Sequence, residues 1–445
     1  MAVASTRISR WVPAAILAGV GVLALGTLGA LRGREPFATW YYVFAWYGTL
    51  LALDGVLALA GGAAGERSEE RRPTFLLLGR PAHLGTLLFW SAVFWLLFEL
   101  LNLRLRNWYY VFVPGDLVAR RAGVTLSFAT VLPAILMAET ALARLGAFGG
   151  RTTAPLRVTP RLLGGLQYTG GAMLVLALLW PRWFFPLVWG AVTLLLDPHN
   201  YRRAPVRSLL GDLERGRPGR PLRLLVSGAL VGLVWELFNS VARGQWIYTV
   251  PGFDELKLFE MPVVGFLGFP PFALECFAFW QMLVLHGLAV PRWGRVRAAP
   301  AWVRATAAAG AVLFSGLVLA GIDRWTVSSE TPRLSELPGA PAARLAAAGY
   351  DVFTLARAHA SELAARAGLP AEQAAGLVAA ARVATLRGIG TENTRRLRSV
   401  SIESVEQLAQ ADAETVAARL GESAARVKVW VRAARAARAS RAPLS

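Results

Sequence analysis

Residues 98–109 contain Phe98-Glu-Leu-Leu-Asn102 followed by Asn107-Trp-Tyr109, and residues 235–248 contain Trp235-Glu-Leu-Phe-Asn239 followed by Gln245-Trp-Ile-Tyr248. In both stretches an acid and an amide stand three residues apart in an otherwise apolar run, which places them on one face of a helix. The agreement extends upstream. Trp40-Tyr-Tyr-Val-Phe-Ala-Trp46 is followed by Asp54, and Trp183-Phe-Phe-Pro-Leu-Val-Trp189 by Asp197, at identical spacing. A third pair is Glu139 and Glu275, each shortly after a proline in an apolar stretch. A duplicated membrane helix needs only apolar character to survive. Polar positions held in register in both copies therefore call for a reason beyond packing.

Composition supports the membrane reading. Hydrophobic residues make up 55% of the 445-residue chain and charged ones 17%, with mean hydropathy +0.45, outside the range of soluble domains. The formal charge of +19 resembles a nucleic-acid signal, but most of the excess sits in short loops between apolar segments. Anionic lipid and the positive-inside rule account for it there. One cysteine, Cys276, excludes an internal disulfide.

Stretches long enough to cross about 30 Å of hydrocarbon are expected at 11–31, 38–61, 84–103, 122–145, 163–181, 183–197, 222–242, 263–289 and 302–322. The sixth is short, and Pro181 and Pro186 predict breaks around it. With the N-terminus inside, the interior loops 62–83, 146–162, 198–221 and 290–301 hold more Lys and Arg than the exterior ones. The expected fold is all-α: two parallel four-helix repeats, a ninth linking helix and a small helical C-terminal domain. The divisions are 1–145 for repeat one, 146–290 for repeat two, 291–325 for the linking helix and 333–438 for the terminal domain. An odd number of crossings places that domain outside the cytoplasm.

Glu99 and Asn102, with Glu236 and Asn239, read either as helix-to-helix clamps, Glu99 being neutralised by Arg104 or Arg106, or as paired ligand sites. An ionised acid at mid-membrane costs at least about 2.5 kcal/mol on insertion scales. Residues 258–276 hold Pro262, Gly265, Gly268, Pro270 and Pro271, which cannot form one uninterrupted helix. Breaks of this kind survive only where protein or a water-filled cavity satisfies the freed backbone, and in transporters they mark binding sites. Glu275 follows the break. Trp108 and Trp246, at the exits of their helices, complete the candidate substrate-binding set of Glu99, Asn102, Trp108, Glu139, Glu236, Asn239, Trp246 and Glu275. Asp197-Pro-His-Asn200 reads as an ordinary helix exit with Arg202 and Arg203 as partners. The four histidines have no metal-ligand spacing, and no Gly-rich phosphate loop or nucleophile elbow is present. No metal or cofactor is expected.

The tail also reads as two similar units. Leu337-Pro-Gly-Ala340 and Gly349-Tyr-Asp-Val-Phe-Thr-Leu-Ala356 are echoed by Leu386-Arg-Gly-Ile-Gly390 and Ser401-Ile-Glu-Ser-Val-Glu-Gln-Leu-Ala409. This resembles tandem helix-hairpin-helix domains, which implies hairpin amides offered to backbone phosphate. Only the second unit keeps the full glycine–hydrophobic–glycine hairpin. The modest charge of the tail and its exterior placement favour a protein partner over nucleic acid. The membrane part resembles a group of uncharacterised bacterial multi-pass proteins that share the Trp-Glu-x-x-Asn and Trp-x-Tyr elements, and more weakly the lycopene-cyclase type of membrane domain. The first reading expects a carrier or binder of a small or lipid-like molecule in an inner membrane. The second expects an enzyme doing acid–base chemistry on an isoprenoid or lipid, and a third a scaffold acting through its tail.

Overall fold

The computed structural model describes residues 2–60, 75–250, 252, 256–292, 294 and 296–440, with side chains from residue 11 onward. Most of the interior loop expected at 62–83, parts of the exterior loop 243–261, and the side chains of the N-terminal basic residues lie outside the described residues. The chain forms two compact units. One comprises Met1–Asn107, Arg121–Arg243 and Val250–Arg324; the other comprises Trp108–Arg120, Gly244–Thr249 and Trp325–Ser445. The expected boundaries near 145 and 290 are not borders between these units.

The first unit opens with α1 (Ala2–Leu31) and α2 (Tyr41–Ala60). They run antiparallel in close contact, with Gly26 opposite Phe44 and Gly55 opposite Ile16. A Cβ on Gly19 would fall 2.4 Å from the Ala52 amide nitrogen, so small residues let these two backbones meet without a hydrophobic drive, as membrane helices require. Next come α3 (Pro81–Leu105), α4 (Leu117–Phe128, of which the part from Arg121 belongs to this unit), α5 (Val131–Arg144) and α6 (Pro160–Leu179). The last is started by Thr159, whose side chain accepts from the Leu162 amide at 3.2 Å, and by Pro160 at its first position.

The sixth expected span is not one helix. It is α7 (Pro181–Phe184), a 3₁₀ turn at Phe185–Leu187, and α8 (Val188–Arg203). Within α8, Trp189 and Gly190 leave helical geometry, Gly190 at φ 105°. Pro181 and Pro186 remove donors, and the left-handed glycine lets the chain turn. The second part of α8 runs back along α6, because Gln167 Nε2 donates to the Leu195 carbonyl at 3.1 Å and Arg202 Nη1 to Gln167 Oε1 at 2.7 Å.

After α9 (Leu209–Glu214) and α10 (Gly219–Val241) the chain enters the proline-rich stretch. As expected, this is no single helix: Val263–Gly268 is a 3₁₀ segment and α11 (Phe269–Leu285) begins with prolines in its first turn, where a missing amide costs nothing. The unit closes with α12 (Ala301–Gly321). Among the described residues, eight helical segments are long and apolar enough to cross a membrane, with α4 and α5 forming one of them; Val188–Arg203 is not among the eight.

The second unit is built on a ribbon. Strand β1 (Trp108–Val111) pairs antiparallel with β2 (Gln245–Tyr248), Trp108 facing Tyr248. Two short strands of the first unit, β3 (Lys257–Leu258) and β4 (Met261–Pro262), make a separate hairpin. Residues 327–331 run parallel along the other edge of β1, with Ser328 N donating to Tyr110 O at 2.8 Å and Thr331 N to Val113 O at 2.9 Å. The tail helices follow in two series. The first is α13 (Ala342–Ala347), α14 (Val352–Arg357), α15 (Ala360–Ala367) and α16 (Ala371–Ala384). The second is α17 (Gly390–Arg398), α18 (Val405–Gln410), α19 (Ala413–Leu420) and α20 (Ala424–Ala439). Both α14 and α18 start with a full capping box, and both α15 and α19 end on a left-handed glycine.

Candidate functional site

In the first unit Glu99, Glu236 and Glu275 are each fully buried in apolar helices. Trp95, one turn before Glu99, donates its indole N–H to Glu99 Oε1 at 2.9 Å. Arg104, expected as a partner of Glu99, instead donates to the Leu179 carbonyl at 3.3 Å. Glu236 interacts electrostatically with the Tyr42 hydroxyl of α2. Glu275 Oε1 accepts from the Gly190 amide at 2.7 Å and the Val192 amide at 2.9 Å. These amides belong to the interrupted start of α8, where no preceding turn supplies carbonyl partners, so Glu275 caps one helix from another. Its second oxygen, Oε2, has no hydrogen-bond partner among the described residues.

An aromatic cluster lies on the helices that carry these acids. Phe272, one turn before Glu275 and 1% exposed, meets the rings of Phe94, Trp95, Phe98, Trp189 and Trp235 at centroid distances of 5.2–6.0 Å. Trp189, next to the Gly190 break, stacks on Phe98 at 5.4 Å with planes 9° apart. The cluster continues through Trp235 to Trp46 at 6.0 Å and from Trp46 to Phe238 at 5.4 Å. Helix α10 admits α11 because it carries glycine where the two cross. A Cβ on Gly232 would lie 2.3 Å from the Phe269 ring, and one on Gly228 2.2 Å from the Phe269 carbonyl oxygen. Rings from α2, α3, α8, α10 and α11 thus converge on one region holding Trp95–Glu99, Trp235–Glu236 and Phe272–Glu275. The acids stand out in the sequence as polar positions in apolar runs, whereas the rings do not.

The other candidates have different surroundings. Asn102 is buried and its Oδ1 accepts from the Asn107 amide at 2.9 Å, closing the exit of α3 where Arg106 adopts φ 56°. Asn239 is fully buried on α10. Glu139 forms an ion pair with Arg223 Nε at 2.8 Å, whereas Glu275 faces backbone amides, so this pair of acids does not share a partner type. Trp108 and Trp246 belong to the second unit, where Trp246 Nε1 donates to Tyr248 OH at 2.9 Å.

Asp54 and Asp197 are each bonded by backbone amides that follow their own helix. Asp54 accepts from the amides of Leu76, Leu77 and Leu78 at 2.6–3.2 Å, and Asp197 from those of Leu209 and Leu210 at 2.9 Å. The helix exit expected at Asp197–Asn200, with Arg202 and Arg203 as partners, is corrected here. Helix α8 continues through Pro198 to Arg203, and backbone amides, not arginines, bond Asp197.

In the second unit the Leu386–Gly390 turn is covered by its own chain. Gly388 and Gly390 have φ of 78° and 73°, and a Cβ on Gly388 would lie 2.4 Å from Val111 Cγ1. Ser329 Oγ donates to the Gly388 carbonyl at 2.6 Å, and Asn393 Nδ2 to the Ser328 carbonyl at 3.0 Å. Val429 joins Tyr109, Val111 and Ile247 in a small core, Arg426 lies 4.7 Å over the Tyr109 ring, and Phe353 meets Phe112 edge-on. At the corresponding glycine of the first series, Gly339 at φ 69°, a Cβ would meet nothing within 4 Å, and the carbonyl accepts from Gln373 Nε2 at 3.1 Å.

No group of three or more His, Cys, Asp and Glu among the described residues is placed to hold a metal ion. No protein-family model, curated protein or solved structure matches this chain, so the functional reading rests on geometry.

Proposed function

We propose that this multi-pass membrane protein binds and carries an apolar, lipid- or isoprenoid-like molecule with a polar end, held where Glu99, Glu236 and Glu275 meet the aromatic cluster. The observation that carries the reading is the convergence of fully buried carboxylates with rings from five helices. Rings offer an apolar ligand a large contact at low entropy cost. Glu275 Oε2, without a hydrogen-bond partner among the described residues, is a group a ligand would satisfy. Asn102 and Asn239 accompany the acids on their helices, while Trp108 and Trp246 act in the ribbon. The test is mass spectrometry of lipids and pigments retained by purified wild type and by Glu275→Gln and Phe272→Ala variants. The reading expects one retained species that both variants lose; identical lipid complements in all three would overturn it.

One observation favours an enzyme as the second reading. Both amide bonds fall on Glu275 Oε1, so a neutral Glu275 would carry its proton on Oε2, free to protonate an alkene. A second carboxylate would then accept a proton from the cation and complete an isomerisation, with the rings stabilising the positive charge meanwhile. Turnover in heavy water separates the two: deuterium gained on carbon by wild type, and not by Glu275→Gln, marks the enzyme.

The chain path supports nine crossings and two parallel halves. Helices α3 and α10 each lead within a few residues into strands that pair with one another, and α12 leads into the edge strand beside β1. If α3 and α10 exit at one face, an even number of crossings separates them. The segments 117–144, 160–179 and 219–241 supply three, so the broken 181–203 segment is the fourth. The ninth crossing then leaves the tail opposite the N-terminus, and the basic loops put the N-terminus in the cytoplasm of a cell membrane. The tail, helix-hairpin-helix-like in sequence, is read as a protein-interaction module that first engages its own ribbon; the covered Gly388 turn argues against phosphate backbone as its ligand.

A further inference from the structure

At the ends of α8 and α11, away from the acid cluster, His199 and His286 meet head to head. Their Nε2 atoms are 2.9 Å apart, and the rings are nearly parallel, 7° between planes. Two imidazoles in this arrangement hold a single proton between them, one nitrogen donating and the other accepting. The groups around them are cationic. Arg203 acts electrostatically on both rings and Arg202 on His199. Arg202 donates to the neutral Gln167 Oε1 at 2.7 Å, and Arg203 makes no hydrogen bond or ion pair among the described residues. The nearest acids in sequence are engaged elsewhere: Asp197 by the Leu209 and Leu210 amides, Asp212 by Arg215 and Arg220, and Glu214 by the Tyr201 hydroxyl.

A positive-inside loop needs arginines, but it does not need two histidines bonded to each other on separate helices beside an arginine that has no side-chain partner among the described residues. We propose that His199, His286, Arg202 and Arg203 form a binding site for a phosphate group, either the headgroup of an anionic lipid or a free phosphate. The paired imidazoles are its resting state. On binding, each Nε2 turns its N–H to a phosphate oxygen, with one proton taken up so that both can donate, and Arg203 supplies a forked contact of the kind arginine makes to phosphate. The ligand removes the like-charge crowding that the empty site carries. This site does not depend on the ligand proposed for the acid–aromatic cluster.

The test uses the full chain in nanodiscs of phosphatidylcholine alone or with phosphatidic acid, compared by native mass spectrometry, with inorganic phosphate titrated in a separate arm. Wild type is expected to retain phosphatidic acid, and Arg203→Gln and the double variant His199→Gln with His286→Gln to retain about tenfold less, the loss of one charge-assisted bond. If inorganic phosphate displaces the lipid or binds alone with the same variant dependence, the source is free phosphate; if it does not, the source is lipid. Equal retention by wild type and by an Arg203→Gln protein that elutes as a folded species, together with no phosphate binding, would overturn the proposal. Because Arg203 is exposed and has no hydrogen-bond or ion-pair partner among the described residues, its variant is expected to fold.

Discussion

At the residue scale, Glu275 shows how a polar group is kept in an apolar helix. Removing its side chain leaves the Gly190 and Val192 amides without acceptors, and an orphaned buried amide costs about 1–3 kcal/mol. Glu275→Ala is therefore expected to lower thermal stability in detergent, and Glu275→Gln, which keeps an acceptor oxygen, to lower it far less; equal losses would mean that the amides are satisfied some other way. Glu422 in the tail makes a pH prediction. Burial pushes its carboxyl up, but Arg426, the Ser423 amide and Arg396 together outweigh this and hold it below the usual range. A depressed folded value means the stabilisation is complete above the ordinary glutamate value and fades as pH falls through the folded one. The tail should lose stability on acidification below about pH 4.3, and Glu422→Gln should flatten that loss, read by thermal unfolding at successive pH values.

At the element scale, the breaks and the acids were legible in the sequence while their partners were not. Pro262, Pro270 and Pro271 announce that 262–275 is no single helix, since a missing donor acts locally. The Gly190 turn is silent because a glycine in an apolar run signals nothing until its φ is known. The aromatic cluster is silent for another reason: lipid and protein core are equally apolar, so hydropathy cannot tell Phe272, wholly buried, from Trp183, 72% exposed. Glu139 and Glu275 each follow a proline in the sequence, yet Arg223, eighty-four residues beyond Glu139, determines the surroundings of Glu139. The tail hairpin gives the element-scale test. Gly388→Ala combines a left-handed φ with a Cβ driven into Val111, while Gly339→Ala has the same strain in open space. Strain alone is expected to cost about 1–2 kcal/mol. Hydrogen exchange should therefore show strand 108–111 deprotected in Gly388→Ala and unchanged in Gly339→Ala; matching behaviour would mean that Gly388 does not hold the ribbon.

At the scale of the whole molecule, the account depends on the path of the chain. Parallel halves follow only if the broken segment 181–203 crosses the membrane, because that crossing brings α3 and α10 out at one face and leaves the tail opposite the N-terminus. Composition gives the membrane and approximate span positions, but a short segment holding Pro186 and Gly190 falls below any length criterion, so the count cannot be read from hydropathy. The chain offers a clean way to measure it, since its one cysteine, Cys276, is fully buried. A cysteine placed at exposed Ser440 and another at Val206, 66% exposed, can be probed separately in intact cells with a membrane-impermeant maleimide. The account predicts that Ser440→Cys labels in intact cells and Val206→Cys only after permeabilisation. Protection of Ser440→Cys until the membrane is opened would contradict nine crossings and return the tail to the cytoplasm.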